Sequence, residues 1–277
     1  MSVISGIKKK MLSNTKNINR ALFLCNPGLG DNIDMIGAVR YFSQFHTQID
    51  VPCYKHNIQT LSDFYSDDPK VVLIPIEEDF CNKHWMDQKF ASVNQLELIE
   101  YNPSDYVTVY RSGFCKYPRN LTWPDSNIPK CFYMDLGLDP SIGHSYFHIS
   151  ENKKSQLLYN KIKHIPYIFT HQRSSNNFTP LIRWDINKTF TIDPNVNLYP
   201  EGHQWHELAS HFVNKPFPHY TDTIIHASEL HIVNSSFRCL SAHLPLEATV
   251  KKCYARETGD HIPEWTFIRH NPTLPLQ

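Results

Sequence analysis

The stretch 24–34, "LCNPGLGDNID", decides how this chain is read. An apolar run, Ala21 to Cys25, breaks into Pro-Gly-Leu-Gly and presents an acid at Asp31, and "IDMIGAVRYFSQF" (33–45) follows with helical spacing. That order predicts a strand, a tight loop and a helix. Gly28 and Gly30 let backbone N–H groups approach a ligand, and a helix start favours anions. The spacing is not that of the dinucleotide fingerprint, because Gly-x-Gly runs into Asp31 and Asn32 and the next glycine is Gly37. Nor is there the Lys-Ser/Thr pair of a phosphate-binding loop. A carboxylate at the loop's mouth repels phosphate and accepts protons, so Asp31 reads either as a general base or as the N-cap of the helix.

Outward from this loop the pattern alternates. A strand is expected at "IDVPCYK" (49–55) and a helix at "NIQTLSDFY" (57–65). "VVLIPI" (71–76) reads as a parallel strand covered on both faces; a helix over 80–99 and a strand at "DYVTVYR" (105–111) follow. The turn-rich "GLDPSIGHSYFHIS" (137–150) separates this series from a second one. There a helix (151–163) precedes a strand running into a polar loop (166–175) and another strand (188–195). Helices at 203–213 and 220–229, a strand at 230–236, a helix at 237–244 and a last strand at "KKCYARE" (251–257) complete it. Alternation of this kind predicts an α/β fold of two facing Rossmann-like domains with parallel sheets and a cleft between them. The expected division is a lead-in over 1–19, one domain over 20–145 and another over 146–277.

The bulk numbers exclude several classes. A chain of 277 residues is long enough for a sizeable core. Its 27 basic and 27 acidic residues cancel, which gives no electrostatic case for nucleic acid. The start "GIKKKMLSNTKNINR" (6–20) has no apolar segment of signal-peptide type, and no run approaches membrane-spanning length. The seven cysteines are scattered without a C-x-x-C and read as buried reduced thiols, so a cytoplasmic chain with no integral membrane segment is expected.

Two further loops carry chemistry. "THQRSSNN" (170–177) places His171, Arg173, Ser174 and Ser175 at a strand end, where the arginine fork and the hydroxyls suit phosphate oxygens. "VNSSFRCLSAHL" (233–244) places Ser235 and Ser236 at a helix start, either as caps or as a cradle whose orphan N–H groups hold a diphosphate.

The "GLGD" after the first strand resembles the N-terminal signature of heptosyltransferase-like sugar transferases. "THQRSS" followed by "SELHIVNSSFRCLSAHL" resembles the second half of fucosyltransferase-like enzymes. Both branches belong to the GT-B superfamily of glycosyltransferases. The resemblance spans roughly residues 20 to 250 on three short motifs. It implies an acceptor-side first domain, a nucleotide-sugar-binding second domain, a nucleoside-diphosphate sugar as co-substrate and a glycan or other saccharide as acceptor. Asp31 matches the proposed base, with the backbone of Gly28, Gly30 and Asn32 around it. Arg173 matches the arginine facing the diphosphate. His171, Ser174, Ser175, Asn234, Ser235, Ser236 and Phe237 match the donor cradle, and Tyr199, Pro200 and His203 of "LYPEGHQWHELA" (198–209) fall where the nucleoside is held.

No D-x-D triplet occurs, and His203 and His206 lack the i, i+4 spacing of a zinc helix, so no metal or other cofactor is expected. The other reading is a non-catalytic nucleotide- or glycan-binding module of the same fold. A nicotinamide-dependent oxidoreductase shares the alternation but needs the missing G-x-G-x-x-G.

Overall fold

Apolar runs separated by glycine, proline and polar breaks become two parallel sheets. The structure is a computed structural model and describes residues 19–77, 101–112, 128–173, 185–255 and 264–269. The lead-in up to residue 18, the helix expected over 80–99, and Ser174 and Ser175 lie outside them.

In the first half, β1 (Arg20–Leu24), β2 (Gln48–Tyr54), β3 (Val71–Ile76) and β4 (Thr108–Arg111) form one sheet in the order β3-β2-β1-β4. Every pair is parallel. Helices α1 (Leu29–Asp34), α2 (Ile36–Ser43) and α3 (Ile58–Phe64) connect them, and α4 (Ile128–Asp135) and α5 (Ile142–Ser145) follow β4. In the second half, α6 (Lys153–Tyr159) leads into β5 (Tyr167–His171) and β6 (Phe190–Ile192). Then come α7 (His206–Ser210), α8 (Thr221–Ile225), β7 (Glu229–Val233), α9 (Ser236–Ser241), β8 (Val250–Ala255) and β9 (Thr266–Arg269). The second sheet has the order β6-β5-β7-β8-β9, again parallel throughout. One buried apolar cluster runs from Phe23 and Ile36 through Phe132 and Tyr133 to Phe169, Phe237 and Leu240, so the halves share a core. No helix among the described residues is long and apolar enough to cross a membrane.

Three expectations change. The helix read over 33–45 starts earlier, at Leu29, and breaks at Met35. The cause is Tyr133, whose hydroxyl accepts from Ala38 N–H at 3.2 Å and donates to Asp34 O at 2.9 Å. A side chain inserted into the i→i−4 ladder interrupts it at that point. The run 71–76 is not a strand covered on both faces but, among the described residues, the edge of its sheet, with Val72 exposed and Pro75 placed where a missing donor is tolerated. Finally, β8 is not the last strand, since the four residues of β9 add an edge too short to announce itself as a run.

Strand order fixes where ligands can enter. The chain moves from β1 to β2 and β3 on one side and then to β4 on the other, so the sheet's direction of growth reverses beside β1. It reverses again between β5 and β7. Crevices open at such points, outside the carboxyl ends of the strands.

Candidate functional site

The first crevice is the "NPGLGDN" loop after β1. Asn26 Oδ1 accepts from Gly28 N–H at 3.1 Å, which turns the chain. Asn32 is 3% exposed, and its amide donates to Asn26 O at 3.2 Å and to Gly28 O at 3.0 Å, tying the loop to the helix it opens. The N-cap is Gly28, not Asp31, which lies within the first turn of α1. There an acid favours the helix through the macrodipole instead of through a cap hydrogen bond. Gly28 has φ −60°, so any demand for glycine here is one of space and not of backbone: a Cβ would lie 3.2 Å from Asp31 Oδ2, which would have to give by a few tenths of an ångström, and 3.5 Å from Asn26 Oδ1.

The second crevice lies between β5 and β7, where His171 pairs in register with Ile232. Ser235 is the N-cap residue of α9, but its hydroxyl makes no cap hydrogen bond. Ser235 Oγ meets His171 Nδ1 at 3.1 Å instead. Burial pushes the His171 imidazolium down to about 4, so the ring is neutral near pH 7. Asn234 is held from both sides, its N–H on Tyr254 O at 3.0 Å and its Oδ1 accepting from Arg238 Nε at 3.2 Å. Arg173 lies two residues beyond His171 and is exposed.

The halves bring these two crevices together, because α1 packs directly on α9. A Cβ on Gly30 would sit 3.1 Å from Cys239 Sγ, 3.8 Å from Ser236 Cα and 3.9 Å from Ser236 Oγ. The glycine loop that carries Asp31 is thus seated on the serine-rich start of α9.

Other residues singled out from the sequence take structural places. Phe237 is 7% exposed and packs on Phe217, with ring centroids 4.4 Å apart, and on Phe169. Tyr199 is 2% exposed, takes the Thr191 N–H on its hydroxyl at 2.6 Å and stacks on His203 at 4.8 Å, so its ring supports the 198–206 loop from beneath. Pro200 is exposed on that loop. His203 receives Trp205 N–H on Nδ1 at 3.2 Å and faces Asn187 Oδ1 at 3.3 Å, while His206 Nδ1 faces Tyr199 O at 2.8 Å. Among the described residues, no group of three or more His, Cys, Asp or Glu side chains is placed to hold a metal ion.

Two features escaped the sequence reading. Asp193, just past β6, is 3% exposed, and burial raises its carboxyl. Its oxygens accept from Asn195 N–H at 2.8 Å and from the Gln172 amide at 3.4 Å, which joins the loops after β5 and β6. The other is Asp34 with His243, whose Nε2 stands 3.2 Å from Asp34 Oδ1. No short-range pattern marks a pair 209 residues apart; the only hint was a polar residue in each of two apolar stretches.

A scan of protein-family models and a search of curated proteins found no match to this chain. Solved structures do resemble it. A glycosyl transferase of family 9 from Veillonella parvula aligns with TM-score 0.52 at 10% identity, covering 92% of this chain and 86% of that one. TibC, a dodecameric iron-containing heptosyltransferase solved with ADP-D-beta-D-heptose, aligns with TM-score 0.52 at 12% identity and covers 92% of this chain. The alignment spans 64% of TibC's length. The ADP-heptose lps heptosyltransferase II of E. coli aligns with TM-score 0.49 at 12% identity, covering 91% of each chain. The two alignments with TM-score 0.52 establish, at these identities, the fold alone: an α/β architecture of two parallel sheets like those of these glycosyltransferases.

Proposed function

We propose that this chain is a glycosyltransferase of GT-B type that moves a sugar from a nucleoside diphosphate to a hydroxyl of a glycan or other saccharide. The observation that carries this reading is the seating of Gly30 on Ser236, which sets a carboxylate and a strand-end helix start on either side of one seam. In the proposed displacement an acceptor oxygen attacks the anomeric carbon as the bond from that carbon to the diphosphate oxygen breaks. Asp31 takes the acceptor's proton. The negative charge that builds on the departing nucleoside diphosphate is met by Arg173 and by the amides at the start of α9, aided by the hydroxyls of Ser174, Ser175 and Ser236. General-base help and electrostatic stabilisation of the leaving group are the two aids such a step needs.

Ser235 supports the assignment in an unexpected way. A capping serine satisfies the first helix amides itself. Here that hydroxyl is engaged by neutral His171, so no side chain occupies the cap position and an anion's oxygens can fill it. The 198–206 loop, with Pro200 and His203 at its surface and Tyr199 beneath, is the proposed nucleoside side. The acceptor-side unit would run to residue 145 and the donor-side unit from 146, with 146–150 as a connector fastened back on the first half.

The reaction is proposed to need no metal. Full activity in EDTA is the expected result, and a loss restored by Mn²⁺, Zn²⁺ or Fe²⁺ would sink that part. Donor choice is tested by thermal shift with UDP, GDP, ADP and CDP and their sugars. A ligand at about a hundred times its Kd adds roughly 2.7 kcal/mol, a shift of a few degrees for a chain of this size. Stabilisation by one nucleoside diphosphate with no transfer and no donor hydrolysis would favour the non-catalytic binding module. A flat response to all of them would remove the donor site altogether.

A further inference from the structure

Asp34 closes α1 one turn beyond Asp31, and His243 stands two residues past the end of α9. Both side chains are 5% exposed and meet at 3.2 Å between the halves. The His243 ring is itself fixed, stacked on Phe147 at 4.5 Å and 11° and lying 5.2 Å from His144. Its other nitrogen, Nδ1, is buried and makes no hydrogen bond. A buried polar atom left unmatched disfavours the folded chain, so the ring is held here at a cost at that nitrogen. What the placement does provide is a second hold on α1 from the opposite half, next to the seat of Gly30 on Ser236 and Cys239.

The chain between the halves is arranged to make that hold matter. Arg40 Nε donates to His148 O at 2.5 Å, Ser150 N–H donates to Phe64 O at 3.1 Å, and Asp67 N–H donates to Ser150 Oγ at 3.1 Å. The connector is therefore fastened to the first half as far as Ser150. The second half takes over at Asn152, which caps α6 by accepting from Lys154 N–H at 2.9 Å. Exposed Glu151 alone lies between these anchor points. Behind the pair is a cavity of about 250 Å³ lined by Phe147, Ile149, Glu151, Asp222, Ile225 and His243. A turn of one half about Glu151 has empty volume to move into.

We infer that Asp34 and His243 form a clamp across the seam, positioning α1, and with it Asp31, against the start of α9. The inference rests on the roles proposed above for Asp31 and α9, but the clamp itself is read without them. Asp34 and His243 are positioning residues. They act through α1 and touch no reacting atom. Releasing His243 removes one hold on α1 while the shared core stays in place, so Gly30 lifts away from Cys239 more often.

Cys239 is the built-in reporter, a thiol 7% exposed beneath Gly30. Burial and the adjacent Asp34 carboxylate push it well above the ordinary thiol range. Cys53 in β2 and Cys253 in β8 are fully buried and serve as one control per half. The full chain is treated with iodoacetamide under native conditions and each cysteine's labelling is followed by peptide mass spectrometry. In His243→Ala, Cys239 should label about tenfold faster or more while Cys53 and Cys253 keep the parent rate, as selective local opening requires. Asp34 is intact in that variant, so faster labelling reports exposure of the thiol and not the loss of that carboxylate's charge. His243→Gln, whose amide can still donate to Asp34, should restore slow labelling. Unchanged labelling of Cys239, or equal acceleration of all three thiols, overturns the clamp. Where transfer is measured, His243→Ala should lower kcat with little change in donor KM, and a loss confined to KM would overturn the positioning role. A parent with no transfer activity but the expected labelling pattern would fail the proposed function and leave the clamp standing.

Discussion

The crevice beside β1 and the crevice between β5 and β7 occupy equivalent points of two parallel sheets, yet side chains fill them in opposite ways. After β1, Asn26 and Asn32 spend their amides on the loop's own backbone, and the carboxylate of Asp31 rests over a glycine that leaves it room. After β7 the residue at the cap position turns its hydroxyl away to a neutral histidine and leaves the helix start without a side-chain cap. One loop is closed by its own hydrogen bonds and presents an acid; the other is left open and suits an anion. Equivalent topology therefore does not make equivalent sites. The difference is made by a few polar side chains at the strand ends, and it is what the proposed division into acceptor and donor sides predicts.

The contrast is broken most severely by removing the acid. Asp31→Asn keeps the shape of a residue that does not cap α1, so Tm and donor affinity should stay near the parent. Turnover should fall by roughly 10²–10⁴, the range for a positioned general base. A variant that retains most of its transfer rate at saturating acceptor would return Asp31 to a helix-dipole role.

His171 offers a pH test of the second crevice. Its folded value of about 4 lies below its ordinary 6.5, so the unfolded chain binds more protons between those values. Stability from this group is whole above about pH 6.5, falls as pH drops toward about 4, and is level below, a change on the order of 3 kcal/mol. Burial also lowers His46, His144, His219 and His231, so the readout is a difference between variants. Thermal melts at pH 7 and pH 4.5 should show His171→Gln losing several degrees less than the parent. Equal losses would mean that His171 is protonated without penalty.

Arg173→Ala sharpens the anion side. A charge-assisted contact is worth about 1.5–3 kcal/mol, so nucleoside diphosphate binding should weaken by roughly ten- to more than a hundredfold. The bare nucleoside should bind as before. Titration calorimetry that finds equal losses for both ligands would remove Arg173 from the diphosphate.

The smallest expected effect probes the seat between the crevices. In Gly30→Ala the new Cβ would lie 3.1 Å from Cys239 Sγ, a few tenths of an ångström too close. A single methyl of overpacking against a sulfur costs on the order of 1 kcal/mol. Cys239→Ala in the same chain should recover most of it, a non-additivity visible in urea denaturation. Additive effects would show that the two residues do not press on each other.

Much of the fold was written locally. Ala21 to Cys25, then two glycines, then a periodic helix could be read in order because apolar runs and glycine breaks act over a few residues. The same holds for "YIFTH" and "LHIVNSS", whose strand ends carry His171 and Ser235 where they were expected. The sequence also placed Asp31 and Ser235 at helix starts, but it could not say that neither side chain caps. That depends on Gly28 taking the cap position and on a histidine 64 residues away engaging the serine. Phe237 and Tyr199 looked available to a ligand and lie instead in the core, because burial is settled by what packs above a residue. Tyr133 breaking the first helix, Gly30 resting on Cys239 and Asp34 meeting His243 were decided only when the two sheets were folded together. Local propensity acts over a few residues and leaves a period that can be read. Contacts between residues a hundred or two hundred positions apart leave none, so they are settled by the packing of the two halves alone.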